Sequence, residues 1–230
     1  MIFRQFFDSE SSTYTYLIGD ESSGEAALVD PVREQVERDL RVLSELGLLL
    51  TWVLETHVHA DHVTAAAMLR ERTGARTVFG RRGAACADRH VTSGDVIQVG
   101  SIQVLVLDTP GHTDDSVSYF LGDRVLTGDA LTIRGAGRTD FQNGNPHTLY
   151  RSITEVLFAL RDDTLVYPGH DYKGQTVSTI GEERRHNPRL AGKSEDEFVA
   201  IMNGLGLAPP KQIAEAVPAN RACGAAPASA

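Results

Sequence analysis

The chain has 230 residues, a formal net charge of −9, 41% hydrophobic and 23% charged residues. At that length roughly 70% of the extended surface is buried on folding, enough for a core that needs no staple, and the composition is that of a globular chain. No run approaches 18 apolar residues, which excludes a membrane-spanning helix, and the acidic balance argues against nucleic acid as the partner.

Residues 12–19 alternate in a strand-like way, and residues 26–29 form a second short strand. Asp30-Pro31 then reads as a helix opening, with Val32, Val36, Leu40, Leu43 and Leu46 at helical spacing and Gly47 as its stop. An apolar strand over 48–54 is followed by a helix over 63–72 that ends at Gly74. Short strands are expected over 95–99, 101–107, 116–121 and 124–126, then one helix over 146–160 with Pro146 in its first turn, and a last strand over 164–166. The order of elements suits an α/β sandwich of layers better than a doubly wound parallel sheet. We expect a single domain over 1–218 with helical additions from about residue 175, and a disordered tail over 219–230.

The strongest chemical signal is His57-x-His59-x-Asp61-His62, directly after a strand. It gathers three imidazoles and a carboxylate at one strand end, a donor set suited to a divalent metal. His112, Asp129 and His170 each follow a strand and a glycine that lets the backbone turn sharply. Singly, each reads as a turn residue or a hydrogen-bonded core histidine. Together, five of the chain's eight histidines fall at strand ends, while His90, His147 and His186 lack that setting and read as surface residues. With two cysteines in the chain there is no disulfide framework. Cys86 is expected as a small buried hydrophobe, and a reducing, bacterial cytoplasm as the compartment, since Met1–Phe7 carries no secretory signature.

The order His-x-His-x-Asp-His, distal His, Asp, last His resembles the metallo-β-lactamase superfamily over residues 1 to about 170. The resemblance implies a four-layer αββα sandwich with a metal site at one edge of the sheets. A narrower likeness lies outside the ligands. Thr127-Gly-Asp-Ala-Leu-Thr-Ile-Arg-Gly-Ala-Gly-Arg-Thr-Asp-Phe-Gln142, Tyr167-Pro-Gly-His-Asp-Tyr-Lys-Gly174, Glu182-Glu-Arg-Arg-His-Asn-Pro-Arg-Leu190 and Ala216-Val-Pro-Ala-Asn220 with Cys223-Gly224 are similar to the persulfide dioxygenase family.

That resemblance implies one Fe(II) per chain held by His57, His112 and Asp129, a two-His-one-carboxylate set with open positions for O₂ and substrate. His59, Asp61, His62 and His170 would line the site. The implied reaction oxidises glutathione persulfide with O₂ and water to sulfite and glutathione. Glutathione is anionic, so Arg138 is expected to contact its carboxylate and Tyr172 to donate near the sulfur, with Arg134 and Lys173 as weaker candidates. Cys223 is a candidate beside the substrate, and related proteins admit a homodimer. Ala136 and Gly169 stand where relatives carry other small residues, with little expected effect. The same ligands occur in glyoxalase II, so a binuclear hydroxyacylglutathione hydrolase is the alternative. A non-catalytic metal- or persulfide-binding module is a third reading.

Overall fold

The computed structural model describes residues 1–225. Its contacts divide the described chain into two compact units: Met1–Val91 with Val96–Val104 and residues 209–225, and Thr92–Asp95 with Leu105–Ala208.

In the first unit, strands β1 (Ile2–Asp8), β2 (Thr13–Gly19), β3 (Glu25–Val29), β4 (Leu49–Leu54), β5 (Arg76–Gly80) and β6 (Arg89–Val91) form one sheet in that spatial order. β1, β2 and β3 pair antiparallel; β3 through β6 pair parallel. Parallel neighbours need a crossover, supplied between β3 and β4 by helix α1 (Val36–Glu45) and between β4 and β5 by helix α2 (Ala66–Thr73). The core joins Leu17, Leu28, Val53, Leu69 and Phe79 and takes in Cys223. β1, β5 and β6 are absent from the sequence reading: β1 alternates only weakly, and β6 is 3 residues long.

The helix expected from Asp30-Pro31 begins later, with a 3-10 turn at Arg33–Gln35 before α1. Asp30 cannot cap it. Its backbone is left-handed (φ 50°), and its carboxylate accepts from the Thr56 N–H and hydroxyl, at 2.7 and 2.8 Å. A tertiary contact has taken the local cap.

β7 (Val96–Val99) and β8 (Ile102–Asp108) begin the second sheet, whose order is β12-β11-β10-β9-β8-β7. Its other strands are β9 (Val117–Phe120), β10 (Arg124–Gly128), β11 (Leu165–Pro168) and β12 (Ser178–Thr179). β10 and β11 pair parallel; β8–β9, β9–β10 and β11–β12 pair antiparallel. Three helices complete the second unit: α3 (Pro146–Arg151), α4 (Ile180–His186) and α5 (Glu195–Asn203). Its core joins Leu131, Leu149, Ile153, Leu157, Val166 and Phe198. The single helix expected over 146–160 is broken. Only α3 is α-helical, capped by the Asn145 side chain, and Ser152–Val156 and Leu157–Ala159 follow with π and 3-10 spacing. Two hydroxyls bind backbone there, Ser152 to the Pro110 carbonyl and Thr154 to that of Tyr150, which loosens the regular ladder.

The tail is a correction to the sequence reading. Helix α6 (Ile213–Arg221) runs through Ala219, Asn220 is buried, and Cys223 is bonded to Cys86 in a disulfide that closes a separation of 137 residues. Cys86 is therefore no inert small hydrophobe, and the count of two cysteines carries no argument for a reducing compartment. The rest of the expected tail, 226–230, lies outside the described residues. Among the described residues no helix is long and apolar enough to cross a membrane.

Candidate metal centre

β4 delivers Glu55 to His62 at its C-terminal end, and nearly every polar side chain there is buried: His57, His59 and His62 are at most 2% exposed. The His57 and His59 ring centroids lie 4.1 Å apart, and those of His59 and His62 lie 4.4 Å apart. Thr56 orients the first ring. Its single hydroxyl proton goes to Asp30 at 2.8 Å, so His57 Nδ1, 2.9 Å away, must donate to that oxygen. The Nε2 lone pair is then the ring's ligand atom. His62 follows the same rule, with Nδ1 2.8 Å from Asp61 Oδ2. Ligand atoms of His59, Asp61 and His62 lie within 4.8 Å of one another, as do those of Asp30, Glu55 and His59.

His59 is held differently. Its Nε2 stands 3.1 Å from Asp30 and 3.4 Å from Glu55, both buried carboxylates, and Glu55 also accepts from the Thr64 hydroxyl. Burial pushes the Glu55 carboxyl up to about 7 against the pull of His59. Burial alone would lower His59, yet Asp30 and then Glu55 outweigh it and hold the imidazole well above its ordinary value.

In the second unit, His112, Asp129 and His170 come together from the ends of β8, β10 and β11. His112 Nδ1 lies 2.7 Å from the Arg138 carbonyl, an acceptor only, so this nitrogen carries the proton. His170 Nδ1 donates to Asp129 Oδ1 at 2.7 Å. His112 Nε2 and Asp129 Oδ2 then face each other at 3.6 Å, too far apart for a hydrogen bond, as two lone-pair donors. Such an arrangement gains from a cation between them, so the donor chemistry fits a metal.

The glycines before these ligands differ in purpose. Gly111 is needed for its φ of 132°, and a side chain there would strike the Leu149 backbone. Gly169 lies close to the centre: a Cβ there would stand 2.8 Å from Asp129 Oδ1, so a small residue in its place calls for a shift of that carboxylate.

A model of the metallo-β-lactamase superfamily matches residues 9–85 and 87–170 and so runs through both units. The mitochondrial persulfide dioxygenase ETHE1 of Homo sapiens is 49% identical over 227 residues, 97% of this chain and 89% of that protein. The chain belongs to the persulfide dioxygenase family. The crystal structure of ETHE1 from Myxococcus xanthus matches with a TM-score of 0.97 and 65% identity over 98% of this chain and 100% of that one. A metallo-β-lactamase from Staphylococcus aureus matches with a TM-score of 0.86 and 29% identity over 96% and 71%. The fold is accordingly the metallo-β-lactamase fold, two mixed sheets with helices.

Of the residues that the persulfide dioxygenase likeness suggested for substrate, Arg138 is already engaged. Asp140 accepts from its Nε and Nη2 at 2.7 and 2.8 Å, and the Ala208 and Leu207 carbonyls accept from Nη1 and Nη2 at 2.6 and 3.0 Å. Arg134 is paired with Glu182 and Glu183, a structural role. Tyr172 is 78% exposed, its ring stacked on His170 at 6.2 Å. Cys223 is in the disulfide.

Four contributors escaped the sequence reading. Asp30 and Thr56 orient His57; Asn220 binds the backbone of the His59–Thr64 loop; Gly137 packs against both His112 and Asp129. Gly137 sits in the family-like run from Thr127, and Asn220 in Ala216–Asn220, so both lay inside quoted motifs without a role. Asp30 carried a different signal, that of a helix opening with Pro31.

Proposed function

We propose that this chain is a persulfide dioxygenase that oxidises glutathione persulfide with O₂ and water to sulfite and glutathione. One persulfide, one O₂ and one water give one glutathione, one sulfite and two protons. The observation that carries the reading is family membership at 49% identity over nearly the whole chain, with the His112–Asp129 pair as a metal-ready donor set beside it. In this proposal both units belong to one domain, as the single superfamily model suggests.

One Fe(II) per chain is assigned to His57, His112 and Asp129. When bound, it supplies the one-electron chemistry that lets O₂ react with sulfur, and three protein ligands leave positions open for both reactants. The chain's own residues orient and charge the site. Thr56 and the Arg138 carbonyl fix His57 and His112 as Nδ1–H tautomers, and His170 holds Asp129. His59 is claimed by Asp30 and Glu55, which favours a lining role over ligation. Asp61 and His62, bonded to each other, line the site as well.

For the glutathione carboxylate we retain Arg138. Asp140 is mostly exposed and grips the guanidinium as a bidentate carboxylate, so a substrate carboxylate can take its place while the two carbonyl bonds remain. Tyr172 is assigned as the donor near the sulfur, on an exposed ring stacked over His170.

A second reading, a binuclear thioester hydrolase, is favoured by the grouping of His59, Asp61 and His62. Oxygen uptake with glutathione persulfide separates the two. The dioxygenase consumes one O₂ per persulfide and carries about one iron per chain. Thioester hydrolysis without oxygen uptake, with two zinc ions bound, would overturn the proposal.

A further inference from the structure

The first unit contains a covalent bond that ends beside the His59–Thr64 loop. Asn220, on α6 and 1% exposed, uses both amide hydrogens on that loop: Nδ2 donates to the His59 carbonyl at 2.9 Å and to the His62 carbonyl at 2.8 Å. Its Oδ1 accepts from the Thr64 N–H at 2.8 Å. One side chain thus fixes three backbone groups across six residues that hold two histidines and Asp61.

Three residues on, Cys223 closes the α6 end. Its N–H donates to the Asn220 carbonyl at 3.0 Å, and its own carbonyl accepts from the Ala67 N–H at 2.9 Å, satisfying one of the orphan donors at the start of α2. Cys223 does this with φ at 57°, the left-handed conformation that commonly ends a helix, and the Gly224 N–H donates back to the Ala219 carbonyl at 2.8 Å. The backbone after it lies so near the loop that a Cβ on Gly224 would stand 2.2 Å from the Thr64 carbonyl oxygen. The Cys223 side chain is bonded to Cys86, in the segment between β5 and β6. Cys86 is partly exposed, whereas Cys223 is 3% exposed.

We infer that the Cys86–Cys223 disulfide is a thiol-sensitive latch that, through Asn220, holds the His59–Thr64 loop in place. Low-molecular-weight thiols are the reductant. A thiolate attacks the accessible Cys86 sulfur, the S–S bond breaks, and Cys223 leaves as a thiolate that takes a proton. A second thiol then resolves the mixed disulfide, so two thiols become one external disulfide and two electrons reach the cysteines. With the tether cut, the α6 terminus frays and the three Asn220 bonds open more often. Asn220 is a positioning residue: it touches the loop backbone, and the loop carries the side chains. Faster iron loss to a chelator from the loosened site rests on the proposed function; the loosening of the loop does not.

The test uses the full chain, supplied with Fe(II), in four forms: oxidised, reduced with dithiothreitol and alkylated, Cys86→Ser, and Asn220→Ala. Amide hydrogen exchange is followed in peptides covering 57–67 and 213–225, and iron loss to a ferrous chelator in parallel. Reduction, Cys86→Ser and Asn220→Ala should each raise exchange at 59–67 by about tenfold, the loss of one or two net hydrogen bonds. Peptides of β10 and β11 should not change. Dithiothreitol should add nothing to Cys86→Ser, and reoxidation of unalkylated chain should restore protection, which a merely structural cysteine would not require. Unchanged exchange at 59–67, with reduction verified by mass, would overturn the latch. If the loop responds but the chain neither holds iron nor consumes O₂, the latch stands and the proposed function fails.

Discussion

Replacing Gly137 with Ala puts one methyl group where the structure has no room. A Cβ there would stand 2.3 Å from the Asp129 carbonyl oxygen and 2.8 Å from His112 Nδ1. Reaching the 3.4 Å of ordinary contact requires a displacement of about 1 Å, shared between the 137 segment and the residues it touches. The Gly137 N–H donates to that same Asp129 carbonyl at 2.7 Å, and the next residue's carbonyl takes the His112 Nδ1 proton, so both bonds are strained together. One lost hydrogen bond at about 1 kcal/mol plus overpacking at about 1–3 kcal/mol gives a destabilisation of about 2–4 kcal/mol. Two metal-facing groups displaced by about 1 Å should lower kcat/KM about a hundredfold. Urea unfolding, iron content and oxygen uptake measure the three effects. A Gly137→Ala chain with wild-type stability and full iron would refute the packing argument.

His57→Ala, His112→Ala and Asp129→Ala should each remove iron and oxygen uptake together, by metal analysis and an oxygen electrode, whereas His59→Ala should retain most of its iron. Loss of half of a two-metal content in His59→Ala would instead mark a binuclear centre. Arg138→Ala should raise KM for glutathione persulfide, and Asp140→Ala should lower it by removing the competing carboxylate; an unchanged KM in both would dismiss Arg138 as a substrate contact. Burial pushes the Asp39 carboxyl up to about 6 despite Arg38. Between about pH 4 and 6 the native chain keeps a proton that the unfolded chain has lost, so this group's contribution falls as pH rises through that window and is level above it. The change is at most about 3 kcal/mol, and Asp39→Asn should remove that slope in urea titrations.

Much of the centre was legible because its signals are local. His57, His59, Asp61 and His62 stand within six residues after an apolar run, and each of His112, Asp129 and His170 follows a strand and a glycine. The central strands were legible for the same reason, since burial writes itself as closely spaced apolar residues in Leu49–Leu54 and Ile102–Asp108. The supports were not. Asp30 looks like a helix cap until Thr56 is found beside it, and Asn220 reads as one polar residue in an alanine-rich tail until the carbonyls of His59 and His62 are placed against it.

The donor types, their order and the family follow from the amino-acid order alone, because ligand chemistry depends on side-chain identity and on spacing along a strand end. Tertiary structure alone decided which ring nitrogen carries the proton in His57 and His112, that the Arg138 guanidinium is gripped by Asp140, and that Cys86 and Cys223 are joined. Each depends on a partner far away in the chain or on a turn of backbone, and hydrogen bonds and disulfides are set by distances of a few ångströms in space, which residue spacing does not encode.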